Sequence, residues 1–231
     1  MVLDIGTTQD AASVDRLMAG LLASARKLFG MEVAFVSEFC DGQRVFRYVD
    51  AQGGVALVGV NGSDPVEDSY CQRVVDGRLP ELIRDASQNA EAMTLPATQA
   101  VPVGAHLSIP IRFSSGRVYG TFCCFSRSPD MSLGSRDVAT MTFFAEIVGK
   151  LLEERQARDA ARQAMTARLR EVIDQHRYST VFQPIFDVQE NRVVGFEALA
   201  RFQSTPYRPP NEWFDDALKV DLLPELENTT R

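Results

Sequence analysis

The chain has 231 residues, room for one or two domains, and its 45% hydrophobic and 24% charged residues make an ordinary folded, globular composition. A net charge of −7 and a pI near 5.0 argue against polymeric nucleic acid or an anionic membrane surface as partners. No apolar run approaches the roughly 18 residues of a spanning helix, and MVLDIGTTQD has neither the basic nor the apolar part of a leader, so a cytoplasmic protein is expected.

Asp10 or Ser13 can cap a first helix that runs to about Phe29. Val14, Leu17, Met18, Leu21, Leu22, Ala25 and Leu28 fall at helical spacing, and Gly30 supplies a left-handed stop. In Glu32 to Cys40, Val33, Phe35 and Ser37 alternate with Ala34, Val36 and Glu38, the period of a strand. Asp41-Gly42 signals a hairpin turn into a strand from Arg44 to Val49, and Ala51 to Gly54 turns the chain into a third, Val55 to Val60.

A polar loop, Asn61 to Glu67, leads to a short helix near Asp68 to Val75 and a strand near Leu79 to Arg84. Ser87 to Val103 has no strong period and is long for a connection, which marks a binding loop or lid. Ala105 to Phe113 and Val118 to Phe125 form a second hairpin around Ser114 to Arg117. An antiparallel sheet flanked by helices, an α+β domain, is the expected fold. The four cysteines, Cys40, Cys71, Cys123 and Cys124, fit no zinc spacing, and the adjacent pair points to opposite faces of a strand; they are read as reduced, mostly buried thiols.

Asp68-Ser69-Tyr70-Cys71, Gly77-Arg78-Leu79-Pro80 and Asp85-Ala86, followed by Ala105-His106-Leu107-Ser108-Ile109-Pro110 and Gly116-Arg117-Val118-Tyr119-Gly120-Thr121-Phe122-Cys123, resemble a bacterial GAF sensor domain over residues 10–150. The resemblance implies a small-molecule pocket between the sheet and the helices that cross it, with Tyr70, Cys71, Leu95, His106 and Ser108 as its candidate wall. Members of the family hold cyclic nucleotides, haem, bilins or metabolites, and the ligand here is left open. His106 stands where the family often has tyrosine; with no second metal ligand in view it reads as a strand histidine rather than a haem or metal ligand. Cys71 reads as a packed helix thiol rather than a bilin attachment point.

From Ser135 to Arg177 there is no proline and a single glycine, Gly149. Met141, Phe144, Val148, Leu151 and Leu152, then Ala157, Ala160, Ala161 and Ala164, then Met165, Leu169, Val172 and Ile173 make a coiled-coil-like seam. One helix of roughly 40 residues would be about 60 Å long. Its first half suits the sheet. The second, residues 151–176, reads as a signalling helix, and a seam left wet over that length favours a parallel homodimer through residues 135–176.

After it come two strands, with Val181 to Val188 and Val193 to Leu199 flanking the turn Gln189-Glu190-Asn191. Phe182-Gln183-Pro184-Ile185, Asp187, Gly195-Phe196-Glu197-Ala198-Leu199 and Arg201 closely resemble the opening of an EAL domain, the bacterial cyclic-di-GMP phosphodiesterase family, and Pro206 to Phe214 resembles the lead-in to its next helix. The resemblance implies that Glu197 is a ligand for Mg²⁺ or Mn²⁺ and that Gln183, Leu199 and Arg201 touch the cyclic dinucleotide. It also implies a TIM-type barrel of about 250 residues, of which residues 177–231 offer the first strands and one helix. The family's other metal ligands, its lysine base and its paired aspartates have no counterpart, so this chain is not expected to hydrolyse cyclic-di-GMP. The reading is a GAF sensor joined to the start of an EAL phosphodiesterase; the alternative is a non-catalytic GAF ligand-binding or dimerisation module with a vestigial EAL tail.

Overall fold

The structure, a computed structural model, describes residues 8–52 and 58–230. The chain divides into two compact units between Glu154 and Arg155.

In the first unit, Thr8–Glu154, helix α1 (Thr8–Leu28) precedes the hairpin β1 (Val33–Cys40) and β2 (Gln43–Ala51) and the three-residue strand β3 (Ser63–Pro65). Then come α2 (Tyr70–Val75), β4 (Leu82–Ile83), α3 (Ala90–Thr94), α4 (Pro96–Ala100), the hairpin β5 (Ala105–Arg112) and β6 (Val118–Ser126), and the start of α5 (Ser135–Asp174). The strands form one antiparallel sheet in the order β3-β2-β1-β6-β5-β4.

Strand alternation divides the sheet into two faces. On one, Ala34, Val36, Leu107, Ile109, Phe122 and Cys124 pack against Val14, Met18, Leu22 and Ala25 of α1 and Met141, Ala145, Val148 and Leu152 of α5. On the other, Val33, Phe35, Phe46, Cys123 and Phe125 meet Cys71 of α2. Cys123 and Cys124 do point to opposite faces. Strands β1 and β6 approach so closely that a Cβ at Gly120 would lie 2.0 Å from the Ser37 carbonyl oxygen, which explains the glycine inside that apolar run.

The expected elements shift in several places. α1 begins at Thr8, so Ser13 lies within the helix; Leu17 and Leu28 of the expected stripe are exposed. Asp41 and Gly42 both have positive φ, the geometry of a two-residue hairpin turn. Of the expected strand Val55 to Val60, residues 55–57 lie outside the described residues, and 58–60 are not extended pairing partners. The third strand is β3 instead, inside the expected polar loop. It pairs through Arg44 opposite Asp64, so its polarity is satisfied across the ladder and hides it from a search for apolar runs. The expected strand from Leu79 to Arg84 shrinks to β4. The loop from Ser87 to Val103 holds α3 and α4, each five residues and too short to show a period; Asn89 caps α3 by accepting from Ala92 N at 3.0 Å.

The second unit starts within α5. It adds the hairpin β7 (Tyr178–Asp187) and β8 (Arg192–Phe202), then α6 (Pro210–Lys219) and α7 (Leu223–Thr230). Leu169, Val172 and Ile173 of α5 are buried with Phe202, Trp213, Ala217, Leu222 and Leu226. This corrects the argument for a dimer along the whole of α5: the seam is covered by its own chain at both ends, and only Ala157, Ala160, Ala161 and Ala164 between them are bare.

Candidate functional site

On the α2 side of the first unit's sheet, alternation brings a polar stripe to the surface that α2 covers. Ser37 stands opposite Thr121, Ser108 opposite Cys123, and His106 opposite Phe125. Beside the stripe lies a cavity of about 320 Å³, at the lower end of small-molecule sites. Phe35, Phe46, Phe125 and Tyr70 give it aromatic walls, α4 contributes Ala97 and Ala100, and its polar groups include Arg44, Asp64 and His106. Tyr70 Oη and Thr98 Oγ1, 2.6 Å apart, tie α2 to α4 at the rim.

Arg44 organises the floor. Its Nε donates to Asp64 Oδ1 at 2.8 Å and its Nη2 to Asp64 Oδ2, a two-pronged ion pair, while Nη1 donates to Cys71 Sγ at 3.2 Å. Its guanidinium carbon sits 4.7 Å from the centre of the Phe46 ring. Burial alone would lower the Arg44 pKa; Cys71 and Asp64 outweigh it, so the group is held firmly charged. Cys71 Sγ lies 3.5 Å from Cys123 Sγ, which in turn is 2.9 Å from Ser108 Oγ and 3.1 Å from Thr121 Oγ1. Burial pushes the Cys71 thiol up, but the hydrogen bond from Cys123 and the charge of Arg44 bring it down to about 5. Burial and the neighbouring Cys71 drive Cys123 the other way.

His106 is 3% exposed, its ring 4.7 Å from that of Tyr70, and its Nδ1 is buried with no hydrogen-bond partner among the described residues. Burial, helped by the Arg44 charge, lowers its pKa to about 3, so the imidazole is neutral at physiological pH. A neutral ring nitrogen at a cavity wall can pair with a polar group of a bound molecule. The pocket therefore presents one cation already matched by one carboxylate, one neutral imidazole and a majority of apolar surface.

Of the five pocket residues expected from sequence, Tyr70 and His106 line the cavity. Cys71 and Ser108 lie in the polar stripe, and Leu95 is packed with Tyr70, Val74, Leu79 and Ile83. Arg44 and Asp64 were not anticipated. The signal that could have found them is an arginine at an inward-facing position of a strand, two residues before Phe46.

In the second unit, the register sets Gln183 opposite Glu197, Val181 opposite Leu199 and Ser179 opposite Arg201. Gln183, Glu197, Leu199 and Arg201 consequently share one face of the hairpin. Large apolar residues stand bare on both faces of the hairpin, Ile185 at 52% exposed on this one and Phe182 at 66% and Phe196 at 64% on the other, whereas Trp213 is 1% exposed and stacks on Phe202. A hard divalent cation takes six or more oxygens, several of which waters and a bound phosphate can supply. Glu197 supplies one carboxylate and Gln183 one amide, and no group of three or more His, Cys, Asp or Glu able to hold a metal occurs among the described residues.

Comparison with known proteins gives a match to the GAF domain family over residues 11–153. A cyclic di-GMP phosphodiesterase of Pseudomonas aeruginosa is 25% identical over 146 residues; these are 62% of this chain, but the chain spans only 23% of that relative's length. The fold is similar to the blue-light-absorbing form of the PixJ GAF domain of Thermosynechococcus elongatus, with a TM-score of 0.53 and 11% identity over 71% of this chain and 98% of the other. It is also similar to the chromophore-binding domain of a bacteriophytochrome from R. palustris, with a TM-score of 0.52 and 12% identity over 65% of this chain and 61% of the other.

Proposed function

The chain belongs to the GAF domain family, and we propose that it is a sensor in which occupancy of the Arg44–His106 cavity is passed along α5 to a cyclic-di-GMP phosphodiesterase region of the EAL type that begins at β7. The observation that carries the sensing role is the cavity: it is large enough for a small metabolite, walled by rings, and offers few polar groups to fix orientation. Support for the effector comes from the common face of Gln183, Glu197, Leu199 and Arg201 and from the phosphodiesterase relative. In this reading Glu197 contributes one ligand to a Mg²⁺ or Mn²⁺ site completed by residues outside this chain, and Gln183, Leu199 and Arg201 contact the dinucleotide. Two chains associate along the bare alanines of α5. The second reading, a non-catalytic ligand-binding or dimerisation module, is favoured by the lone carboxylate on the hairpin face.

The sensing role is tested by denaturing freshly purified protein and identifying released small molecules by mass spectrometry, beside the cavity-filling variant Ala100→Trp. A compound released near one per chain by the native protein, and not by the variant, is expected. Equal release from both, or no release together with no thermal shift from a metabolite library, would refute the sensing role.

A further inference from the structure

We propose that Cys71 and Cys123 form a peroxide-reactive thiol pair, with Cys71 the attacking sulfur and Cys123 the resolving one, which closes to a disulfide beneath the cavity floor. Four features meet there. The two sulfurs are 3.5 Å apart, so a modest side-chain rotation brings them to bonding distance. Arg44 Nη1 donates to Cys71 at 3.2 Å and supplies the charge that stabilises its thiolate. Ser108 and Thr121 place hydroxyls 2.9 and 3.1 Å from Cys123, and Ser37 lies 3.9 Å from Cys71. The sulfurs, finally, are fully buried, which excludes bulky disulfides and selects an oxidant near the size of water.

The chemistry balances with hydrogen peroxide as the named oxidant. The Cys71 thiolate attacks one peroxide oxygen; a sulfur–oxygen bond forms, the O–O bond breaks, and the hydroxide that leaves takes up a proton as water. The Cys123 sulfur, giving up its proton, then attacks the Cys71 sulfenic sulfur; the S–S bond forms and a second water leaves. Two thiols are oxidised and one peroxide is reduced. Oxidation removes the anion that faces Arg44 Nη1, leaving Asp64 as the carboxylate partner of a side chain that also lines the cavity.

Cys40 provides an internal control. Its thiol is raised by the hydrogen bond and charge of Asp41, and it has no second thiol within reach among the described residues. Arg44 favours the thiolate at Cys71 while Asp41 disfavours it at Cys40, so Cys71 should be oxidised first. The experiment treats the reduced full chain with one equivalent of hydrogen peroxide and maps the peptides. A Cys71–Cys123 linkage, 2 Da lighter, should form before Cys40 is modified, and oxidised glutathione should not produce it. In Cys123→Ser, Cys71 should stop at a sulfenic acid, read as a gain of about 16 Da on its peptide and trapped by dimedone only when the oxidised protein is unfolded in its presence. Thr121→Val, which keeps the Arg44 ion pair, should slow closure without unfolding the sheet, as circular dichroism would verify. Free Cys71 after Cys40 has oxidised, or equal linkage with glutathione disulfide, would overturn the assignment.

Discussion

His106 shows how a single buried ring can tie stability to pH. Its folded pKa is about 3 against roughly 6.5 for an unfolded histidine. Between those values the unfolded chain binds the proton and the folded one does not. The stabilisation is therefore complete above pH 6.5 and is lost as the pH falls toward 3. At pH 5 the loss amounts to about 2 kcal/mol. Carboxylates titrate in the same range, so the informative quantity is a difference: the urea midpoint of the native protein should fall between pH 7 and 5 more steeply than that of His106→Phe. Parallel curves would mean that the imidazole is protonated inside the fold. The sequence flagged His106 and Tyr70 but passed over Arg44 and Asp64. A charged residue in a strand reads as solvent-facing unless the register is known, and here the register aims Arg44 inward, where the half-exposed Asp64 offsets the cost of burying the guanidinium.

Elements were legible where they were long or punctuated. The helix from Ser135, the hairpins at Asp41-Gly42 and Ser114 to Arg117, and the one at Gln189 to Asn191 all follow from period and turn chemistry. α3, α4 and β3 escaped because three to five residues cannot display a period. The β7–β8 hairpin was read correctly as two strands, yet its sequence pattern belongs to a sheet with both faces covered, and in this unit only its Tyr178–Phe202 end is packed. An isolated two-stranded ribbon is marginal in water. Amide exchange should accordingly be fast over residues 181–199 and slow in β1, β5 and β6, and the exposed phenylalanines should drive aggregation at high concentration. Strong protection of 181–199 in a monodisperse sample would mean that something else covers the hairpin. At the packed end, Trp213→Ala should cost about 3–5 kcal/mol and loosen α6 and α7, while leaving the first unit's sheet amides unchanged.

At the scale of the molecule, the two hydrophobic interiors draw on separate stretches of chain, one from Val14 to Leu152 and the other from Leu169 to Leu226. α5 contributes buried residues to both and is bare between. There its side chains are Ala157, Ala160, Ala161 and Ala164, three and four residues apart, with Arg155 and Asp159 paired beside them. Alanine offers little area, so the gain on association comes from close backbone approach rather than from side-chain burial, and a weak, concentration-dependent dimer is the expected form. Light scattering should give a mass rising toward twice 25.6 kDa with concentration. Replacing Ala157 and Ala164 together with glutamate should return it to one chain, since like charges would then face each other across the pair. The bare hairpin also favours self-association, and the same variant separates the two causes. Association that survives both glutamates belongs to Phe182 and Phe196, and a single-chain mass at every concentration in the native protein would rule out pairing through α5.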